Sequence, residues 1–89
     1  MRSVAIEPNL HKLLIKISRK DKKLYEIVEN KMFEIATNAD VDHYKNLQSR
    51  MQDFRRVHVD NCFVLIFKYD EASDKVLFYD LEHHDKIYR

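Results

Sequence analysis

Sixteen residues, Phe54 to Tyr69 (FRRVHVDNCFVLIFKY), constrain this chain more than any other stretch. Seven of the eight residues in 62–69 are hydrophobic, and only Lys68 interrupts them. A short apolar run of β-branched and aromatic residues, bounded by turn signals, predicts a strand buried on both faces at the centre of a sheet. The segment before it alternates instead. Arg55, Val57 and Val59 fall on one face and Phe54, Arg56 and His58 on the other, because strand side chains repeat every two residues. With Val57 and Val59 directed into a core, Arg56 and His58 point away from it, side by side. Asp60-Asn61 supplies the turn, Asn61 taking a left-handed conformation in place of glycine.

The remaining elements arrange themselves around that hairpin. Ser3–Glu7 reads as a short strand ended by Pro8, which cannot donate to a ladder. Asn9 is the expected N-cap of a helix over 10–20, whose apolar residues fall at 10, 13, 14 and 17. Asp21 caps a second helix over 22–37, with Leu24, Ile27, Val28, Met32 and Ile35 on one side. So short a connection makes the two an antiparallel hairpin. The polar stretch from Asn38 to Asp53 reads as a short helical turn around His43 to Met51, or as loop. Asp70–Asp74 is a turn, Lys75–Leu81 a last strand, and Glu82–Arg89 a tail without a further helix. The order β-α-α-β-β-β makes the last three strands antiparallel neighbours. The expected fold is α+β: one two-layer domain over 1–89, an N-terminal strand and helical hairpin packed on an antiparallel sheet.

Composition narrows the function classes. The chain has no glycine, which excludes glycine-rich phosphate loops and dinucleotide fingerprints. Its single cysteine, Cys62, falls inside the most apolar strand, so a disulfide framework is excluded, the thiol is expected to be buried and inert, and a reducing compartment is expected. No apolar run is long enough for a membrane span and no signal peptide is evident, so the expected location is the cytoplasm and no membrane partner is expected. Net charge is +1, but residues 1–50 carry ten Lys/Arg against seven Asp/Glu, and 51–89 carry six against eight. A small core with five tyrosines and five phenylalanines is hard to close alone, which predicts an exposed apolar groove for a partner segment.

Three clusters can carry chemistry. Arg56 and His58 are either ordinary solvent-facing residues or the centre of a site. The tail places His83, His84, Asp85, Lys86, Tyr88 and Arg89 just after the last strand. It is either a frayed terminus or, with Ile87 as apolar anchor, a segment docked near Arg56 and His58. The run His11, Lys12, Lys16, Arg19, Lys20, Lys22 and Lys23, opposed only by Asp21, is either a solvated helix face or an electrostatic footprint for nucleic acid. A histidine passing protons near neutral pH beside an arginine fork on a phosphate suits phosphodiester cleavage. With RNA the 2′-hydroxyl is the nucleophile, so no metal or other cofactor is needed. A zinc site from His58, His83, His84 and an aspartate fits by donor chemistry, but adjacent histidines lack ligand-pair spacing on a helix, and none is expected.

The N-terminal strand with its basic helical hairpin, the stretch FRRVHVDNCFVLIFKY and the closing LEHHDKIYR together resemble the RelE superfamily of toxins, the messenger-RNA interferases of type II toxin–antitoxin pairs. The resemblance covers essentially the whole chain. It implies a ribosome-dependent endoribonuclease that cuts messenger RNA by 2′-hydroxyl attack on the adjacent phosphate and so inhibits translation. A cognate antitoxin would inhibit it, giving a toxin–antitoxin heterotetramer as the expected assembly. By position, Arg56 matches a basic strand residue on the phosphate, His58 a strand histidine, His84 the closing histidine-or-arginine position and Tyr88 the closing aromatic one. His84 and His58 would transfer protons, Arg56 would clamp the transition state and Tyr88 would orient the nucleotide. Lys12, Lys16, Arg19, Lys20, Lys23, Arg55, Lys86 and Arg89 would contact RNA. Two features depart from the family: Phe63 stands nearest to where many members carry a central-strand arginine, and the chain is nearly neutral. They leave a second reading open, an attenuated RelE-like protein acting as an antitoxin- or RNA-binding module.

Overall fold

A computed structural model of the protein describes residues 1–38, 45–46 and 54–83. The elements are β1 (Ser3–Ile6), α1 (Pro8–Lys20), α2 (Lys22–Thr37), β2 (Lys45–Asn46), β3 (Phe54–His58), β4 (Phe63–Asp70) and β5 (Lys75–His83). The expected α+β order holds, and the sheet runs β1-β5-β4-β3-β2 with β4 at its centre. β3, β4 and β5 are antiparallel neighbours, whereas β1 joins the sheet at its edge, parallel to β5, so the sheet is mixed. A parallel partner is available because two helices separate β1 from the rest, long enough to carry the chain back across the sheet. Where a helical turn or loop was expected, Lys45–Asn46 pair with Arg56 and Arg55 as the two-residue β2. The other residues of that connection lie outside the described ones.

Val64, Leu65, Ile66 and Phe67 are all at most 3% exposed, four consecutive residues that alternate between the sheet's faces. That is burial on both faces, as the apolar run predicts. The helix-side core joins Leu10 and Leu14 of α1 and Val28 and Ile35 of α2 to Leu65, Phe67, Val76, Phe78 and Leu81. Phe67 and Phe78 meet at a ring-centroid distance of 6.4 Å. Truncating either would cost about 3–5 kcal/mol, a large part of the ~5–15 kcal/mol that holds a domain folded.

Local chemistry fixes the element ends, twice differently from expectation. The N-cap of α1 is Glu7, not Asn9: its carboxylate accepts from the Asn9 backbone N–H at 2.8 Å. Pro8 is the reason, since its locked φ and missing N–H suit the first helical position and draw the helix start forward. Asp21 closes α1 through its own N–H to the Ile17 carbonyl, and opens α2 by accepting from Leu24 N–H at 3.1 Å. Between β3 and β4, the Asp60 carboxylate accepts from both Cys62 and Phe63 N–H, at 2.8 and 2.9 Å. That clasp draws Cys62 into the turn, so the strand begins at Phe63 and the thiol is exposed rather than buried. The same clasp spares Asn61 the left-handed conformation.

Among the described residues only Asp74 has a positive φ, 51°, in the turn between β4 and β5. In a chain without glycine an aspartate takes this role, and its side chain is put to use. The Asp74 carboxylate accepts from Arg2 Nε at 2.9 Å and from the Tyr69 hydroxyl at 2.8 Å. Arg2 lies 5.3 Å from the Tyr69 ring centroid and donates through Nη1 to the Ile35 and Asn38 carbonyls at the end of α2. One arginine therefore ties β1, the last turn of α2 and the β4–β5 turn together, its charge placed at the negative end of the helix dipole.

Candidate nucleic-acid interface

Register fixes what shares a face with Arg56 and His58. Phe54, Arg56 and His58 of β3 pair with Lys68, Ile66 and Val64 of β4, and Val64 and Ile66 pair onward with Glu82 and Asp80 of β5. These residues occupy the sheet face away from the helices, because Leu65, Phe67 and Leu81, one step along, belong to the helix-side core. Arg56 is half-buried and His58 exposed, on the face where the alternation of β3 puts them. Between them and β5 lie the buried side chains of Val64 and Ile66.

A β-bulge shapes the far side of this face. Ile66 pairs with Asp80 but Phe67 pairs with Phe78, leaving Tyr79 as an extra residue in β5. The extra residue turns the strand, so that Asp80 and Glu82 stand on the Arg56 face while Leu81 stays in the core. Tyr79 also lies on the Arg56 face, its ring 4.8 Å from that of Phe54 at an interplanar angle of 54°. Lys68 Nζ lies 5.9 Å from the Phe54 ring centroid. The Asp80 carboxylate accepts from the Leu81 N–H at 2.8 Å. The charge on the face is therefore mixed: Arg56 and Lys68 stand on β3 and β4, Asp80 and Glu82 on β5.

The other sequence-predicted residues divide by layer. Arg55 pairs with Phe67 and so lies on the opposite face from Arg56. Lys12, Lys16, Arg19, Lys20 and Lys23 are all exposed, on the helical layer across the sheet from Arg56 and His58. The structure thus brings Arg56 and His58 together and separates both from the basic run and from Arg55. His84, Lys86, Tyr88 and Arg89 lie outside the described residues. Residues 82 and 83, expected in the tail, instead extend β5; His83 is exposed and makes an edge-on contact with the Phe63 ring at 5.6 Å. Among the described residues no group of three or more metal-ligating side chains converges. Lys68, Tyr79, Asp80 and Glu82 were missed. The alternation in Asp80-Leu81-Glu82 was the available signal, but which face it takes depends on the bulge.

An apolar groove of about 440 Å³ opens on the helical side, lined chiefly by Val4 and Ile6 of β1, Leu14 and Ile15 of α1, and Met32 and Phe33 of α2. Phe33 is 60% exposed, Val4 45% and Ile15 41%, large hydrophobic residues gathered on one surface. At the groove's edge a hydrogen bond to Glu29 raises the pKa of the Tyr25 hydroxyl above its ordinary value.

A two-helix hairpin laid on a mixed sheet is also the fold of solved toxins of the YafQ and YoeB kind. Solved structures that share it include YafQ from E. coli strain BL21(DE3), at a TM-score of 0.75 and 19% identity over 100% of both chains. A heterotetrameric YoeB–YefM toxin–antitoxin complex from Staphylococcus aureus matches at a TM-score of 0.75 and 13% identity, covering 94% of this chain and 98% of that one. At such identities the likeness is one of fold. A Methanocaldococcus jannaschii protein that bears the toxin name RelE4 is 46% identical over 89 residues, 100% of this chain and 93% of the relative. The chain belongs to the RelE family of toxins. No protein-family model matches the sequence.

Proposed function

We propose that this protein is the toxin of a type II toxin–antitoxin pair and acts as a ribosome-dependent endoribonuclease on messenger RNA in the cytoplasm. The observation that carries the reading is the placement of Arg56 and His58 together on the sheet face away from the helices, in a chain of the RelE family. Arg56 holds the scissile phosphate and stabilises the charge that develops on its oxygens. One of His58 and His84 takes the proton from the 2′-hydroxyl, whose oxygen attacks the adjacent phosphorus. The other gives a proton to the departing 5′-oxygen, leaving a 2′,3′-cyclic phosphate. Tyr88 orients the nucleotide. Lys12, Lys16, Arg19, Lys20 and Lys23, on the helical layer, bind ribosomal RNA by charge while the opposite face meets the message. Arg55, Lys86 and Arg89 add further phosphate contacts, Arg55 from the helical side.

The partner that silences the toxin is an antitoxin segment seated in the groove between β1, α1 and α2. The heterotetrameric assembly of the YoeB–YefM relative supports the same stoichiometry here. A second reading, an attenuated RelE-like binding module, is favoured by one observation: Asp80 and Glu82 share the face with Arg56 and oppose a polyanion there. Cleavage of messenger RNA on programmed ribosomes separates the two. Wild type should cut, His84→Ala should lose about a hundred- to ten-thousandfold in rate, and Arg56→Ala about a hundred- to thousandfold. Ribosome binding without cleavage by the wild type selects the binding module.

A further inference from the structure

We propose that Phe54 and Tyr79 form a subsite on which a base of single-stranded RNA stacks, beside the Arg56–His58 pair. The inference rests on the reading of this face as the RNA face and adds to it a site that takes a nucleobase. Phe54 and Tyr79 belong to β3 and β5, which are not neighbours; β4 runs between them. Strands two apart lie roughly 10 Å from each other, so rings whose centroids are 4.8 Å apart lean toward each other across β4. Tyr79 is the residue that the bulge adds to β5, and it stays 39% exposed. An ordinary packing pair would have no need of an accessible ring. An aromatic surface open to water on a nucleic-acid face is the feature that accepts bases of any identity, since every base has a π face.

Charge sets the path of the chain that would stack there. Arg56 and His58 lie on β3 and Lys68 on β4, its ammonium 5.9 Å from the Phe54 ring. Asp80 and Glu82 lie on β5 and repel phosphate. A polyanion therefore runs along β3, away from β5, with a base turned inward over Phe54 and Tyr79. Phe54 and Arg56 are two residues apart on one strand, roughly 7 Å, a step that one nucleotide of an extended strand covers. The stacked base thus belongs to a nucleotide adjoining the phosphate held by Arg56.

The test uses a fluorescein-labelled RNA hexamer, 2′-O-methylated throughout so that it cannot be cut, titrated with the full-length toxin at low salt and followed by anisotropy. Stacking of one base is worth about a five- to hundredfold change in affinity. An abasic residue at one position of the hexamer should therefore weaken binding to wild type by that factor. Tyr79→Leu and Phe54→Leu, which keep apolar bulk without a ring, should lose the same factor against the intact hexamer and no longer respond to the abasic residue. Tyr79→Phe should bind as wild type. Equal abasic penalties in wild type and both leucine variants, or a wild type that does not bind the hexamer, would overturn the subsite. The nuclease reading is scored separately by cleavage on programmed ribosomes. Cleavage lost in Arg56→Ala with no abasic coupling overturns the subsite alone. Abasic coupling in a wild type that cuts nothing supports the subsite and removes the nuclease.

Discussion

Phe33 gives the groove its most direct test. It stands 60% exposed on α2, beside Ile15 at 41% and Val4 at 45%. A phenylalanine side chain offers on the order of 200 Å², so an antitoxin segment that covers the exposed part removes about 120 Å² from water. At ~25 cal/mol per Å² this is worth about 3 kcal/mol. Phe33→Ala should therefore weaken antitoxin binding by about a hundredfold, at roughly tenfold per 1.4 kcal/mol. The free toxin should not suffer, because the ring is largely in water and alanine is the better helix former. Isothermal titration with the cognate antitoxin, alongside thermal melts of each variant, reads both quantities. Binding within about threefold of wild type would refute the assignment of the groove. A large drop in melting temperature would show that Phe33 supports the core and would invalidate the area argument.

Arg56→Ala and His58→Ala should each relieve growth arrest on induction while leaving the affinity for a groove-confined antitoxin segment unchanged, since both lie across the sheet from the groove; arrest that persists in the double variant would remove them from the site. Reversing Lys12, Lys16, Arg19 and Lys20 to Glu should abolish ribosome co-sedimentation without unfolding the protein, all four being exposed; retained sedimentation would make the run a solvated face. The Ser73 hydroxyl, bonded to Asp70 at 2.8 Å and helped by the Ala72 N–H, holds the Asp70 carboxylate below its ordinary pKa. The unfolded chain therefore binds that proton more readily than the folded one, and stability rises with pH. This contribution is complete above the ordinary carboxylate value and fades as pH falls through the lowered one. Asp70→Asn should flatten that part of the acid slope in urea melts; an unchanged slope would count against it.

How far the sequence carried the fold depends on the range of the interaction responsible. The doubly buried run at Val64–Phe67, the cap at Asp21 and the bounds of α2 follow from neighbours in the chain, and each was legible. The parallel seat of β1 was not, because its pairing with β5 spans some seventy residues and leaves no mark in a four-residue strand. Cys62 misled for a local reason: its apolar character joins it to the strand, while the Asp60 carboxylate claims its N–H for the turn. At the site, period two alone put Arg56 and His58 on one face. Tyr79, Asp80 and Glu82 needed the bulge, which comes from how β4 and β5 fit together and not from any turn residue within them. The tail cluster with its Ile87 anchor was legible as a candidate, the roles of His84 and Tyr88 rested on family resemblance, and both positions fall outside the described residues.

The groove and the Arg56 face occupy opposite layers, and that separation constrains how an antitoxin could silence the toxin. A segment confined to the groove touches Val4, Ile6, Ile15 and Phe33 and leaves Arg56 and His58 open. On the proposed reading it would act by keeping the helical layer from the ribosome, since the basic residues of α1 belong to the same layer as that groove. To reach the Arg56 face directly, the chain must pass the β1 edge and cross β5 and β4 to β3. Three inter-strand steps of about 4.8 Å come to roughly 14 Å, which about five extended residues span. What it meets on the way selects its chemistry: Leu77 and then Lys68 lie in one register row ending at Phe54, with Arg56 one row further along β3. An apolar residue followed by a carboxylate would fit that row, occupying the place proposed for the stacked base and neutralising the arginine proposed for its phosphate.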